Sequence, residues 1–183
     1  MEILNYSTES ELLSSKELDN RCQLLARHLN ELHVHHPKNT LFLCVLPGGY
    51  RFFSDLTKYI AFTIHTEFMK VDLVDGKTIC TMLNTVDETI QFDRIIVVTD
   101  IVNTGKTLSD IVAYCESKYL FAGIIPIAIL VRSNTIIQNS KLHNLHALAD
   151  INSTQKIVGY GIEDISTGLF RQSPSIIEYI GAE

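Results

Sequence analysis

The strongest constraint on this chain lies at residues 94–107. There Ile95-Ile96-Val97-Val98 runs into Thr99-Asp100 and then turns through Asn103-Thr104-Gly105-Lys106-Thr107. Four consecutive β-branched aliphatics fit a strand covered on both faces, the habit of parallel sheets. From Thr107 the apolar period changes: Leu108, Ile111, Val112 and Cys115 fall three and four apart, along one face of a helix. The turn therefore sits at the carboxyl edge of an open α/β sheet, where ligands bind. The free N–H groups of the turn and of the first helical turn suit an anion such as phosphate. Gly-Lys-Thr suggests a nucleotide triphosphatase loop, but that motif needs a glycine where this chain has Asp100. The residues fit an acid aimed at ligand hydroxyls, followed by a short loop, Thr104 to Thr107, wrapped around a single phosphate. For Asn-Thr-Gly alone, an ordinary strand-to-helix turn remains the plain alternative.

The rest of the chain alternates helices and strands. Ser14 with Glu17 forms a capping box, and Leu18, Cys22, Leu25, Leu29 and Leu32 keep a helical stripe, predicting a helix over 15–34 that Pro37-Lys38-Asn39 breaks. Residues 41–46 read as a central strand, ended by Pro47-Gly48-Gly49, whose glycines let backbone approach a ligand. A helix is expected over 50–63, with Tyr50 and Phe53 as core or helix-face aromatics. Residues 64–71 and 77–83 read as strands joined by a tight turn, and 84–93 as a polar connector. Residues 123–131 form another apolar strand containing Pro126, and its end brings Arg132, with Ser133 and Asn134, to the same ligand edge. Residues 140–149 allow a helical turn or a strand, and 1–13 read as a loose arm.

Bulk properties narrow the function classes. The 183 residues, 46% hydrophobic and 20% charged, suit one globular domain spanning 1–183. A net charge of −6 without a basic cluster disfavours a nucleic-acid partner. No secretory leader pattern is seen, and no apolar run approaches the ~18 residues of a membrane span, so no membrane partner and a cytoplasmic location are expected. Cys22, Cys44, Cys80 and Cys115 are widely spaced within apolar patterns, as free core thiols are in a reducing compartment. His33, His35 and His36 follow an apolar stripe and read as a solvated helix end rather than a metal site.

Three segments carry a resemblance. Asp100-Ile101-Val102-Asn103-Thr104-Gly105-Lys106-Thr107 is similar to the phosphoribosyl-diphosphate signature of type I phosphoribosyltransferases. Residues 43–56, from Leu43-Cys44-Val45-Leu46 through Pro47-Gly48-Gly49-Tyr50 to Leu56, resemble the pyrophosphate loop of hypoxanthine-guanine phosphoribosyltransferases. Ile157-Val158-Gly159-Tyr160-Gly161 resembles that family's purine-covering strand, and the matches fall in the family's order. The implied fold is α/β, a central, mainly parallel sheet flanked by helices with a small hood from the chain ends. The implied reaction is purine salvage: transfer from phosphoribosyl diphosphate to hypoxanthine or guanine, giving IMP or GMP and pyrophosphate, with Mg²⁺ as cofactor. The implied partners are phosphoribosyl diphosphate, a purine base and a purine nucleotide, and the family tends to homodimers and homotetramers.

Carried onto this chain, the resemblance places ribose and phosphate at Thr99, Asp100, Asn103, Thr104, Gly105, Lys106 and Thr107, with Asp100 and Asn103 in the catalytic positions. It places pyrophosphate at Pro47, Gly48 and Gly49, the base at Arg132, Lys156 and the backbone of Ile157, and Mg²⁺ at Glu163. Several residues depart from the family's pattern. Pro47 and Arg132 stand where lysines are usual, Thr99 where an acid is usual, Lys156 where an aromatic stacks, and Glu163 where an aspartate binds magnesium. Asn103 replaces the proton-accepting aspartate; its carbonyl can still accept a hydrogen bond from a purine N7–H. The long lid with a Ser-Tyr pair is missing. These departures leave a second reading, a catalytically weak protein that binds nucleotide or phosphoribosyl diphosphate in a regulatory role.

Overall fold

The computed structural model describes residues 9–83, 89–119, 122–132, 142–152, 156–164 and 167–179. Residues 1–8 of the expected arm, 84–88 of the connector, Ser133, Asn134 and residues 140–141 lie outside them.

The elements run β1 (Glu9–Leu13), α1 (Ser15–His35), β2 (Thr40–Leu46), α2 (Tyr50–Thr57), β3 (His65–Val74), β4 (Lys77–Met82), β5 (Arg94–Val102), α3 (Lys106–Lys118), β6 (Gly123–Arg132), β7 (His146–Ile151), β8 (Lys156–Val158) and β9 (Ile176–Tyr179). Six strands form the main sheet in the order β4-β3-β2-β5-β6-β7, and β1-β9-β8 form a second, smaller one. All neighbours in the main sheet are parallel except the β3–β4 pair at its edge. The expected α/β architecture, with a hood built from both chain ends, is what is found.

Alternation along the central strands explains the layering. Phe42 and Cys44 of β2, and Ile96 and Val98 of β5, enter one core with Leu18, Cys22, Ala26 and Leu29 of α1 and Phe52 and Leu56 of α2. Leu41, Leu43, Ile95 and Val97 face the other way, onto Leu108, Ile111, Val112 and Cys115 of α3. The uninterrupted apolar runs are thus the signature of strands covered on both sides. The Ser14 capping box is present, with the Glu17 N–H donating to Ser14 Oγ at 3.3 Å and the Ser14 N–H to Glu17 Oε2 at 2.9 Å.

Three expectations change, and one left open between helical turn and strand is resolved. The arm is a strand from Glu9, paired antiparallel with β9, because the hood supplies a partner that local periodicity cannot reveal. α2 stops at Thr57 rather than 63: Asn30 of α1 donates to the Tyr59 carbonyl at 2.9 Å and accepts from the Ala61 N–H at 2.9 Å, drawing the chain out of the helix. Strands β3 and β4 reach a two-residue turn at Asp75 and Gly76, both at positive φ, the geometry of a tight hairpin. Residues 146–151 resolve as a strand parallel to β6.

Helix α1 ends on His33 and His35, and the His33 ring stacks on Phe62 with centroids 3.9 Å apart. No group of three or more His, Cys, Asp or Glu able to hold a metal is found among the described residues. None of the helices is long and apolar enough to cross a membrane, among the same residues.

Candidate active site

The carboxyl ends of β2, β5 and β6 converge on one edge of the main sheet. At β5 a cavity of about 470 Å³ is lined by Thr99, Asp100, Asn103, Thr104, Gly105 and Thr107, with Val71 and Leu73 of the hairpin forming one wall. The turn closes on Gly105, at φ +73°, a left-handed conformation that glycine adopts without penalty. The Gly105 carbonyl then accepts from the N–H and hydroxyl of Ser109 at 2.9 and 2.8 Å and starts α3. Within the turn the Lys106 N–H donates to Thr104 Oγ1 at 3.4 Å.

Asp100 is the half-buried acid of this edge. Burial pushes its carboxyl above the usual carboxylate range, opposed by the N–H groups of Ile101 and Asp100, the Thr99 hydroxyl at 3.3 Å and the charge of Arg171. Gly48 lies against it: a Cβ at Gly48 would meet Asp100 Oδ2 at 1.8 Å. Gly49 is pinned by main chain instead, since its Cβ would meet the Val45 and Val98 carbonyl oxygens at 2.7 and 2.9 Å. The two glycines bring the β2 turn against the end of β5, and the Leu46–Pro47 peptide bond there is cis.

The structure treats the candidate donors of this loop unequally. The Gly49 N–H donates to the Val45 carbonyl at 3.0 Å, so it is engaged within the fold. The Gly48 N–H has no acceptor among the described residues. Pro47 is exposed and contributes shape alone.

Asn103 and Arg132 meet across neighbouring strand ends, Val102 and Val131 being register partners. Arg132 Nε donates to Asn103 Oδ1 at 2.7 Å. The Asn103 carbonyl, expected to accept from a purine N–H, already accepts from a guanidinium and keeps one further lone pair.

The hood contributes Gly161, at φ +100°, whose Cβ would come within 2.6 Å of the Gly48 carbonyl oxygen. Tyr160 donates to Asp55 Oδ2 of α2 at 2.7 Å and lies under the Arg51 guanidinium, 5.1 Å from its ring centroid. Ile157 sits in β8, an outer strand of the hood sheet paired antiparallel with β9, and its side chain is buried. Lys156 is not among the residues lining the Asp100 cavity, and its ammonium is 3.7 Å from Asp164 Oδ1. Glu163 is ion-paired with Arg171, whose NH1 also donates to the Gly161 carbonyl at 2.7 Å. Glu163 is thus engaged by a guanidinium, and no group of three or more His, Cys, Asp or Glu that could hold a metal is found among the described residues; a Mg²⁺ held by one carboxylate takes its remaining ligands from water and substrate phosphates.

Arg171, Arg51 and Gly161 were not legible as site residues. Arg171 lies in a stretch without periodicity and reaches the site only because the 167–173 segment folds back on Gly161 and Tyr160. The hairpin tip also joins the edge, with Lys106 Nζ donating to the Gly76 carbonyl at 2.9 Å and the Thr78 hydroxyl to Asp110 Oδ2 at 2.5 Å. The cysteines are free and removed from this chemistry: burial pushes the thiols of Cys22 to about 11 and of Cys44 and Cys115 to about 12.

A family model described as a phosphoribosyl transferase domain matches residues 10–151, which hold the main sheet, the Gly48 turn and the Asp100 to Thr107 loop. The chain belongs to the phosphoribosyl transferase domain family. Hypoxanthine-guanine phosphoribosyltransferase of Streptococcus thermophilus is 32% identical over 101 residues, covering 53% of this chain and 55% of that protein. The human enzyme of the same name is 34% identical over 107 residues, 51% of this chain and 48% of the relative. The chain spans about half the length of the curated relatives it matches. Among solved structures, hypoxanthine phosphoribosyltransferase of Trypanosoma cruzi, in complex with the product IMP, superposes with a TM-score of 0.79 at 17% identity, over 98% of each chain. That likeness extends the phosphoribosyltransferase architecture to the hood.

Proposed function

We propose that this chain is a purine salvage phosphoribosyltransferase, transferring the ribose 5-phosphate unit of phosphoribosyl diphosphate to hypoxanthine or guanine. The observation that carries the reading is the contact of the Gly48 turn with Asp100 beside the Gly105 phosphate turn. It lets one ligand bearing pyrophosphate, ribose and 5′-phosphate span both turns. The Thr104 to Thr107 amides and hydroxyls hold the 5′-phosphate, Asp100 the ribose hydroxyls, and the Gly48 N–H, with Arg171 nearby, the pyrophosphate.

In the reaction the bond from the anomeric carbon to pyrophosphate oxygen breaks, a purine nitrogen bonds to that carbon, and the purine N–H proton is lost. This chain's residues contribute position and charge stabilisation. Asn103 cannot take the proton, so turnover is expected to fall short of a general-base-assisted transfer by roughly 10²- to 10⁴-fold. Mg²⁺ would act as the counter-ion of the donor's pyrophosphate, and Glu163 would be the carboxylate to hold it once Arg171 had turned to the anion. The hairpin, tied to α3 and Lys106, takes the place of a long lid as a fixed wall. A single domain over 1–183, a homodimer or homotetramer and a cytoplasmic location complete the proposal.

The test is pyrophosphate release from phosphoribosyl diphosphate with hypoxanthine, guanine, xanthine and adenine in parallel, with and without Mg²⁺. Base-dependent, Mg²⁺-dependent release with a 6-oxopurine is expected. No release with any base, alongside measurable nucleotide binding, would refute the enzyme and leave a binding protein.

A further inference from the structure

The Asn103–Arg132 contact fixes which end of the amide is engaged within the protein. Arginine carries only N–H donors, so the atom it meets at 2.7 Å has to be the Asn103 oxygen; the reversed amide would set donor against donor. With Oδ1 turned to Arg132, Nδ2 is the terminus not engaged within the described residues, on a side chain that lines the cavity. Nδ2 carries two N–H groups and has no acceptor among the described residues. The base end of the proposed site therefore presents donors from both of its polar side chains.

A purine meets such a pair through its O6 and N7 edge. In a 6-oxopurine carrying ribose at N9, both atoms are acceptors; in adenine the exocyclic amine is a donor. In a free 6-oxopurine protonated at N7, that nitrogen becomes a donor and opposes the amide. We propose that Arg132 is a positioning residue that locks Asn103 as an N–H donor to an unprotonated N7. The site is thereby tuned to the N9-linked 6-oxopurine nucleotide rather than to the N7–H base. This rests on the proposed ligand placement and deepens it: the same substitution that removes a proton acceptor strengthens the hold on the finished nucleotide.

The experiment compares GMP with 7-deaza-GMP, which replaces N7 by C–H and keeps every other group, using calorimetric titration of the full chain. Wild type is expected to bind GMP roughly 10-fold more tightly, the effect of one hydrogen bond in a partly shielded site. Asn103→Ala is expected to bring the two ligands within about twofold, and Arg132→Ala, by freeing the amide to rotate, to reduce the ratio while a thermal melt shows the protein still folded. Asn103→Asp, an acceptor only, is expected to weaken GMP binding and to raise the rate of transfer. Equal affinities in wild type, a preference that survives in Asn103→Ala, or failure of both ligands to bind at millimolar concentration would overturn the proposal. GMP binding with the N7 preference but no turnover would leave it standing and refute only the enzyme reading.

Discussion

Gly48→Ala gives the sharpest view of how the β2 turn serves the site. The added Cβ would lie 1.8 Å from Asp100 Oδ2, 2.5 Å from its Cγ and 3.0 Å from its Cβ. To regain ordinary contact at 3.4 Å the carboxylate oxygen must retreat by about 1.6 Å. It can do so by rotating its side chain, because the obstructing atoms are not main chain, so the fold survives the change. The ligand does not recover its partner: a misplacement of about 1 Å costs on the order of 10²-fold in a positioned reaction. Gly48→Ala should therefore lower kcat/KM, or GMP affinity where turnover is too slow to measure, by roughly 10²-fold with little change in Tm. The reasoning assigns the loss to Asp100, so in an Asp100→Ala background the same substitution should cost less than about threefold. A loss of similar size in both backgrounds, or an effect below threefold in wild type, would refute it.

Other substitutions separate stability from binding. Gly49→Ala meets two main-chain carbonyls and should destabilise the fold by about 1–3 kcal/mol, seen in urea titration. Asp100→Asn should stabilise the unliganded protein at pH 7 while weakening GMP. A carboxyl raised on folding contributes stability that is present below its unfolded value of about 3.9 and lost as the pH rises through its folded value, because burial penalises the charged form that the amide would not carry. A lower Tm for Asp100→Asn at pH 7, or an unchanged stability-versus-pH slope above pH 4, would contradict this. Tyr160→Phe removes the hydrogen bond to Asp55 at a cost of about 1 kcal/mol, a fall in Tm of roughly 2–4 °C for a chain of this size.

The central sheet was readable because its strands carry their burial in their own residues. Ile95 to Val98 and the apolar run of β6 need no partner to reveal that both faces are covered. The phosphate turn was readable for a similar reason: strand, acid, glycine and helix follow one another within the segment. What local pattern could not supply was anything fixed across the chain. Strand β1 exists through β9, more than 160 residues away, and α2 ends where Asn30 of another helix takes its carbonyl and amide. The same holds for the site. Arg171 joins it through Gly161 and Glu163, and it draws the expected metal ligand into an ion pair. Lys156 is held by Asp164, and the direction of the Asn103 amide depends on Arg132, 29 positions later.

The central claim is that the carboxyl edge at Asp100 to Thr107 is where this chain holds a nucleotide's ribose 5-phosphate. A crystal structure of the full chain with GMP tests it most directly. The account predicts phosphate oxygens about 2.7–3.2 Å from the amides of Thr104 to Thr107 and a ribose hydroxyl on the Asp100 carboxylate. An empty edge at saturating GMP, or GMP seated in the separate cavity bordered by His36, Arg94 and His143 at the amino ends of β5 and β6, would contradict it.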